Sequence, residues 1–233
     1  MIDTNLLASE SKRIDISPDR LVREAWEILI LDQLSQTPWS KHLIFKGGTA
    51  LRLAWGSPRF SEDLDFSLAA TISFTDFRTF CNDLPKKLGN SLTTQDVTKK
   101  RFTFFALFRI NDPSLFKAFS VKLEISTRLP YLKKEGYALK ILNTNLLPQQ
   151  VLLPVETLAA LWDDKLATLR DRKEPRDLFD LWYLSQILQR PLPAIMINRA
   201  PQDVKQELNK LVPLRYRTVV TELLSLCKPS SHN

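Results

Sequence analysis

Two neighbouring stretches decide how this chain reads: Phe45-Lys46-Gly47-Gly48-Thr49-Ala50-Leu51 and, after a short spacer, Arg59-Phe60-Ser61-Glu62-Asp63-Leu64-Asp65-Phe66-Ser67-Leu68. Residues 62–68 alternate and predict a β-strand, in which successive side chains point to opposite faces. Ser61, Asp63 and Asp65 then share one face, while Leu64, Phe66 and Leu68 share the other and can be buried. Adjacent aspartates repel unless a cation lies between them. A divalent metal with oxygen ligands, Mg²⁺ or Mn²⁺, is the simplest such cation. The chain has only five glycines, and two of them are Gly47 and Gly48. That frugality points to a close backbone approach rather than to a filler turn. A helix starting at Thr49 aims its free N–H groups over this turn, an anion site suited to a triphosphate. A phosphate cradle followed by a metal-binding Asp-x-Asp strand is what phosphoryl-group transfer requires.

Outward from this centre, the segment before Ile16 is polar and predicts a loose start. Ser17-Pro18-Asp19 opens a helix over 18–34, with Ser17 as its cap. A short strand over 42–45 leads into the diglycine, and a short helix over 49–54 follows it. A helix over 75–84 is expected to stop at Pro85. Strands follow over 101–110 and 119–127, separated by Asn111-Asp112-Pro113, and a further strand is expected over 137–141. From Pro154 the periodicity becomes helical, with a break over 170–175, and it continues to Leu226. Residues beyond Lys228 are expected to fray. The chain therefore divides into a mixed α/β unit over 1–150 and a helical region over 151–233.

Composition narrows the chemistry. There is no run of about 18 apolar residues to span a membrane, and the mixed-charge N-terminus does not read as a secretory signal. Two cysteines exclude a disulfide framework and point to a reducing, cytoplasmic setting. Two histidines, His42 and His232, exclude a histidine cluster and a zinc-protease pair. The work must fall to carboxylates, hydroxyls, lysine and arginine. A net charge of +7 suits a polyanionic partner such as RNA or a nucleotide.

The Gly-Gly-Thr turn, short helix and Arg59-x-Ser61-x-Asp63-x-Asp65 resemble the nucleotidyltransferases of the AbiEii/AbiGii toxin family, within the DNA-polymerase-β-like superfamily. The resemblance returns at Asp164-Lys165 and at Arg176-Asp177-Leu178-Phe179-Asp180-Leu181. It implies an α/β (α+β) polymerase-β-like core with a mixed sheet, backed by a C-terminal helical bundle. The implied reaction moves a nucleoside monophosphate from an NTP to an acceptor hydroxyl, with RNA, in particular tRNA, as acceptor. The implied setting is a toxin–antitoxin or phage-defence system with a cognate antitoxin. The resemblance makes Asp63 and Asp65 metal ligands, with Glu124 as a third carboxylate from a neighbouring strand. Gly47, Gly48 and Thr49 would cradle phosphates, with Arg59 or Ser61 helping to position them. Lys165 would neutralise the triphosphate and Asp177 would orient Lys165.

Plainer readings exist for several of these residues. Glu124 could pair with Lys122 on an exposed strand face. By periodicity alone Lys165 is a solvent-facing helix lysine, and Asp177 could serve only the dipole of a new helix. Arg101-Phe102 with Phe104, Phe105 and Phe108 could stack bases or form a buried strand. Transfer to a protein or small-molecule hydroxyl, or a non-catalytic nucleotide- or RNA-binding module, are the alternatives at the level of function.

Overall fold

The structure, a computed structural model, describes residues 2–128, 134–172, 174–193 and 197–228; the expected frayed tail lies outside them. The chain begins in order rather than loosely. Helix α1 (Thr4–Ile14) is capped by the Asp3 carboxylate, which accepts from the N–H groups of Asn5 at 2.8 Å and Leu6 at 3.0 Å. Polar composition masked it, because only Leu7 of this helix is buried. Helix α2 (Pro18–Ser35) starts at its proline as expected. It buries Val22, Ala25, Ile28, Ile30, Leu31 and Leu34 completely beneath the sheet.

Strand β1 (Leu43–Lys46) runs straight into α3 (Gly47–Trp55), and β2 (Asp63–Leu68) returns antiparallel beside β1. Helix α4 (Phe74–Leu88) continues past Pro85 instead of stopping there. The proline withholds the N–H that Cys81 would otherwise receive. The Thr94 hydroxyl supplies the missing donor to the Cys81 carbonyl at 2.7 Å. Strands β3 (Leu92–Lys100), β4 (Thr103–Ile110) and β5 (Phe119–Ser126) form an antiparallel meander. β3 was not foreseen because this edge strand is polar along most of its length. Strands β6 (Tyr137–Thr144) and β7 (Leu147–Glu156) make an antiparallel hairpin. β7 was not foreseen, and Pro154 within it was read as the start of the helical region.

The seven strands make one mixed sheet in the order β3-β4-β5-β2-β1-β7-β6. Parallel pairing of β2 with β5 and of β1 with β7 places the two expected motif strands at its centre. The helical half begins after β7, which itself runs through residue 150. It comprises α5 (Leu158–Arg172), α6 (Pro175–Leu188), α7 (Pro201–Asn209) and α8 (Arg217–Leu223). These helices have their own apolar core, built on Leu161, Leu169, Leu178, Phe179 and Leu181. Leu51 of α3 reaches into this core and joins the two halves. Among the described residues no helix is long and apolar enough to cross a membrane.

Candidate active site

β2 presents its carboxylates as the alternation requires. Leu64, Phe66 and Leu68 are buried on the helix-covered face, and Asp63 and Asp65 stand half-buried on the other. The parallel register sets Asp63 beside Lys122 and Asp65 beside Glu124 on β5. The Lys122 ammonium lies 3.2 Å from Asp63 and 3.3 Å from Glu124, so the strand-face pairing of Glu124 with Lys122 is present. Burial disfavours charge on Lys122, yet Asp63, Asp65 and Glu124 raise its pKa above the usual lysine value. Asp65 is raised as well, first by burial and then by the neighbouring Asp63 charge.

The diglycine is pressed against this strand. Gly47 adopts φ +79°, and a Cβ there would stand 2.9 Å from Asp65 Oδ2. A Cβ on Gly48 would stand 2.2 Å from Arg59 Nη2 and 2.9 Å from Ser61 Oγ. Close approach is therefore the reason for both glycines, and protein atoms already impose it. Among the described residues no side chain caps the N-terminus of α3, which leaves its first N–H groups directed over the turn. The Thr49 side chain is fully buried, and its hydroxyl donates to the Asp63 carbonyl at 2.5 Å. It ties α3 to β2 rather than pointing outward.

Arg59 takes a different place from the one expected at the phosphates. Only 2% exposed, it lies behind the turn and makes a bidentate pair with Asp180, both bonds at 2.7 Å. A third bond runs to the Phe60 carbonyl at 2.9 Å. Its task here is positional. Lys165, far from being solvent-facing, is 7% exposed, with its ammonium 2.9 Å from Asp177 and 2.6 Å from Asp180. Burial alone would raise the Asp180 pKa, but Arg59 and Lys165 together hold it down at about 2.

Gly47, Asp65, Glu124 and Lys165 meet at one cleft of about 200 Å³, which Lys46 and Asp164 also line. Lys46 and Asp164 form an ion pair across it at 3.0 Å. Asp63 does not line the cleft and is paired with Lys122 instead. Gly48, Ser61, Arg59 and Asp177 do not line it. Glu156 is fully buried at the end of β7, and among the described residues neither of its carboxylate oxygens has a hydrogen-bond partner. Burial and the Asp164 charge push its pKa up to about 8, against the opposing pull of Lys46 and Lys165.

Among the described residues no three His, Cys, Asp or Glu side chains converge tightly enough to hold a metal ion by themselves. Asp63 and Asp65 nevertheless fit Mg²⁺, which binds through one or two carboxylates and takes its remaining oxygens from substrate phosphates and water. Lys122 already places one cation among these carboxylates, and their charges raise its pKa. Asp180, Lys46 and Glu156 were given no role from sequence, and Lys122 was read only as a partner for Glu124. Asp180 had a usable signal, since it follows Asp177 at i+3 and so shares its helix face.

A strand-borne Asp-x-Asp, a diglycine turn opening a helix and a buried lysine thus lie close together in the fold. The family model described as "Nucleotidyl transferase AbiEii toxin, Type IV TA system" matches residues 29–221, and the chain belongs to that family. Two solved structures from Helicobacter pylori are similar. JHP933 is 25% identical with a TM-score of 0.54, covering 73% of this chain and 68% of its own. A second protein, proposed to be a nucleotidyltransferase, is 20% identical with a TM-score of 0.56, covering 90% and 94%, and shows the shared fold. No curated protein sequence matches the chain significantly. The chain is a nucleotidyltransferase of a toxin family.

Proposed function

We propose that this enzyme transfers a nucleoside monophosphate from an NTP to a hydroxyl of RNA, tRNA above all, in a Mg²⁺-dependent reaction that releases pyrophosphate. The observation carrying this reading is the pairing of Asp63 and Asp65 on one strand face, with Lys165 facing Asp65 across the cleft. Mg²⁺ or Mn²⁺ held by Asp63 and Asp65, with Glu124 nearby, would supply Lewis-acid charge to the phosphates and the attacking oxygen. The chain's own groups complete the site. The N–H groups at the start of α3, around Gly47 and Gly48, bind phosphate oxygens, with Ser61 beside them. The Lys165 ammonium meets the charge that builds on the leaving pyrophosphate. Asp177 and Asp180 hold that ammonium in place, and Arg59 holds Asp180.

Arg59 and Thr49 act in this reading by fixing the turn, since both side chains are buried against protein partners. Among the described residues no histidine lines the cleft to act as general base. As a toxin-family member the enzyme is expected to work in the cytoplasm, opposed by a cognate antitoxin and serving in phage defence. The test is to incubate the protein with each NTP labelled at the α-phosphate, Mg²⁺ and a cell extract. RNA, protein and small molecules are then separated. Label in RNA supports the reading. Label confined to protein or small molecules moves the acceptor, and no label in any fraction contradicts transfer.

A further inference from the structure

The catalytic row of the sheet does not end at the carboxylates. Asp65 on β2 pairs with Glu124 on β5, and Glu124 pairs in turn with Phe105 on β4. Residues in register share a face, so Phe105 stands on the face of Asp65, two strand spacings or about 10 Å away. The burial pattern of β4 agrees: Phe104, Ala106 and Phe108 are buried on the opposite face, whereas Thr103, Phe105 and Leu107 are only half-buried. The strand is thus a core strand on one side only. The Lys100 ammonium sits over the Phe105 ring, 4.0 Å from its centroid.

A second aromatic lies at the rim. Phe102, in the turn between β3 and β4, is 42% exposed. The Arg101 and Arg128 guanidinium carbons stand 4.9 and 4.8 Å from its ring centroid. The Phe102 carbonyl accepts the Thr127 N–H at 2.9 Å, which pins this turn to the end of β5. The next residues inward, Thr103 and Ser126, pair directly and both line the catalytic cleft. Aromatic rim and cleft are therefore continuous. Among the described residues no carboxylate forms an ion pair with Lys100, Arg101 or Arg128, although ion pairs are common elsewhere on this chain. Cations stacked on exposed rings and lacking a protein anion suit a ligand that brings both phosphates and flat bases.

We propose that this face seats the acceptor: a single-stranded stretch of RNA lies across β4 and the β3–β4 turn. Its bases stack on Phe105 and Phe102, and Lys100, Arg101 and Arg128 pair with its phosphates. Its reacting hydroxyl is thereby brought to the carboxylates of β2. The inference rests on the reading of RNA as acceptor and adds where and in what form it binds. A single strand is required, because bases paired in a helix have no free face to offer the rings.

The test is fluorescence anisotropy with a labelled single-stranded oligoribonucleotide of mixed sequence, titrated with full-length wild type, Phe102→Ala, Phe102→Trp and Arg101→Ser/Arg128→Ser. Labelling of RNA by the wild type is measured in parallel. Loss of one stacking ring weakens binding about tenfold to a hundredfold, and Phe102→Trp retains it. Removing the two arginines lowers the slope of log affinity against log salt by about 1.4, that is about 0.7 for each phosphate contact. Melting temperatures are recorded alongside: Phe102 is exposed, so its variants are expected to keep the wild-type value, which separates a loss of binding from a loss of fold. If wild type labels RNA but Phe102→Ala and the arginine variant bind the oligonucleotide as wild type does, the platform is overturned and the RNA reading stands. If wild type neither binds nor labels RNA, both are overturned.

Discussion

Arg59 and Lys165 share one oxygen of Asp180: Arg59 Nη2 lies 2.7 Å and Lys165 Nζ 2.6 Å from Oδ2. The first residue comes from the loop before β2 and the other two from α5 and α6. A single buried carboxylate therefore couples the helical half to the loop that leads into β2. Removing one member of such a cluster strands the others as uncompensated buried charges. Asp180→Ala is expected to lower stability by about 3–5 kcal/mol, measured by urea unfolding. The folded-state pKa of Asp180 is depressed to about 2. Its contribution is thus present above the ordinary aspartate pKa and is lost as pH falls through 2. A change within about 0.5 kcal/mol, the range of an ordinary surface substitution, would contradict the cluster's role.

Lys165 should show its function in rate. Lys165→Ala is expected to slow single-turnover transfer at saturating NTP by about 10²–10³, the effect of losing a preorganised electrostatic contact. Lys165→Arg should not restore it, because a planar fork cannot take the compact position between Asp177 and Asp180. Asp177→Asn should be milder, and the double variant little worse than Lys165→Ala alone. Wild-type rates in Lys165→Ala would remove this lysine from the site.

Gly48 tests the close approach directly. An alanine Cβ would fall 2.2 Å from an Arg59 nitrogen that is itself locked to Asp180. Gly48→Ala should therefore cost about 1–3 kcal/mol, as overpacking in a filled site does, and should also depress transfer. A variant with wild-type stability and rate would mean that Arg59 moves freely, against the geometry.

Glu156 carries a pH signature. Its folded-state pKa is raised to about 8 by burial and by Asp164, so the folded chain keeps a proton that the unfolded chain releases. Stability from this group is full below the ordinary glutamate pKa and is lost as pH rises through about 8. Thermal melts from pH 5 to 9 should show wild type losing stability with pH more steeply than Glu156→Gln. Parallel profiles would show that Glu156 is ionised in the folded protein.

Much of this site was legible because its signals are local. Alternation in residues 63–68 fixed the faces of Asp63 and Asp65, and scarce glycine marked the turn at Gly47-Gly48. The partners that complete it come from distant strands and helices. Lys122 becomes a neighbour of Asp63 only through the parallel pairing of β2 with β5, and no local pattern specifies that pairing. Arg59 reads as a cleft residue until the fold brings Asp180 against it. Elements were missed where chemistry and conformation disagree, as in the proline-containing β7 and the polar edge strand β3. Lys165 illustrates the limit best, since a helix lysine is assigned to solvent until two carboxylates on a second helix are seen to enclose it.

The central claim is that Asp63 and Asp65 form the metal-dependent transfer site. The most direct measurement follows label from the α-phosphate of an NTP into RNA, with Mg²⁺ or with chelator, for wild type and Asp65→Asn. Melting temperatures without added metal are recorded alongside. Asp65 is half-buried beside the like charge of Asp63, so its neutralisation should leave the melting temperature unchanged or raise it. The account predicts labelled RNA from wild type with Mg²⁺ only, and none from the folded Asp65→Asn protein. Equal labelling by both proteins, or by wild type in chelator, would contradict it.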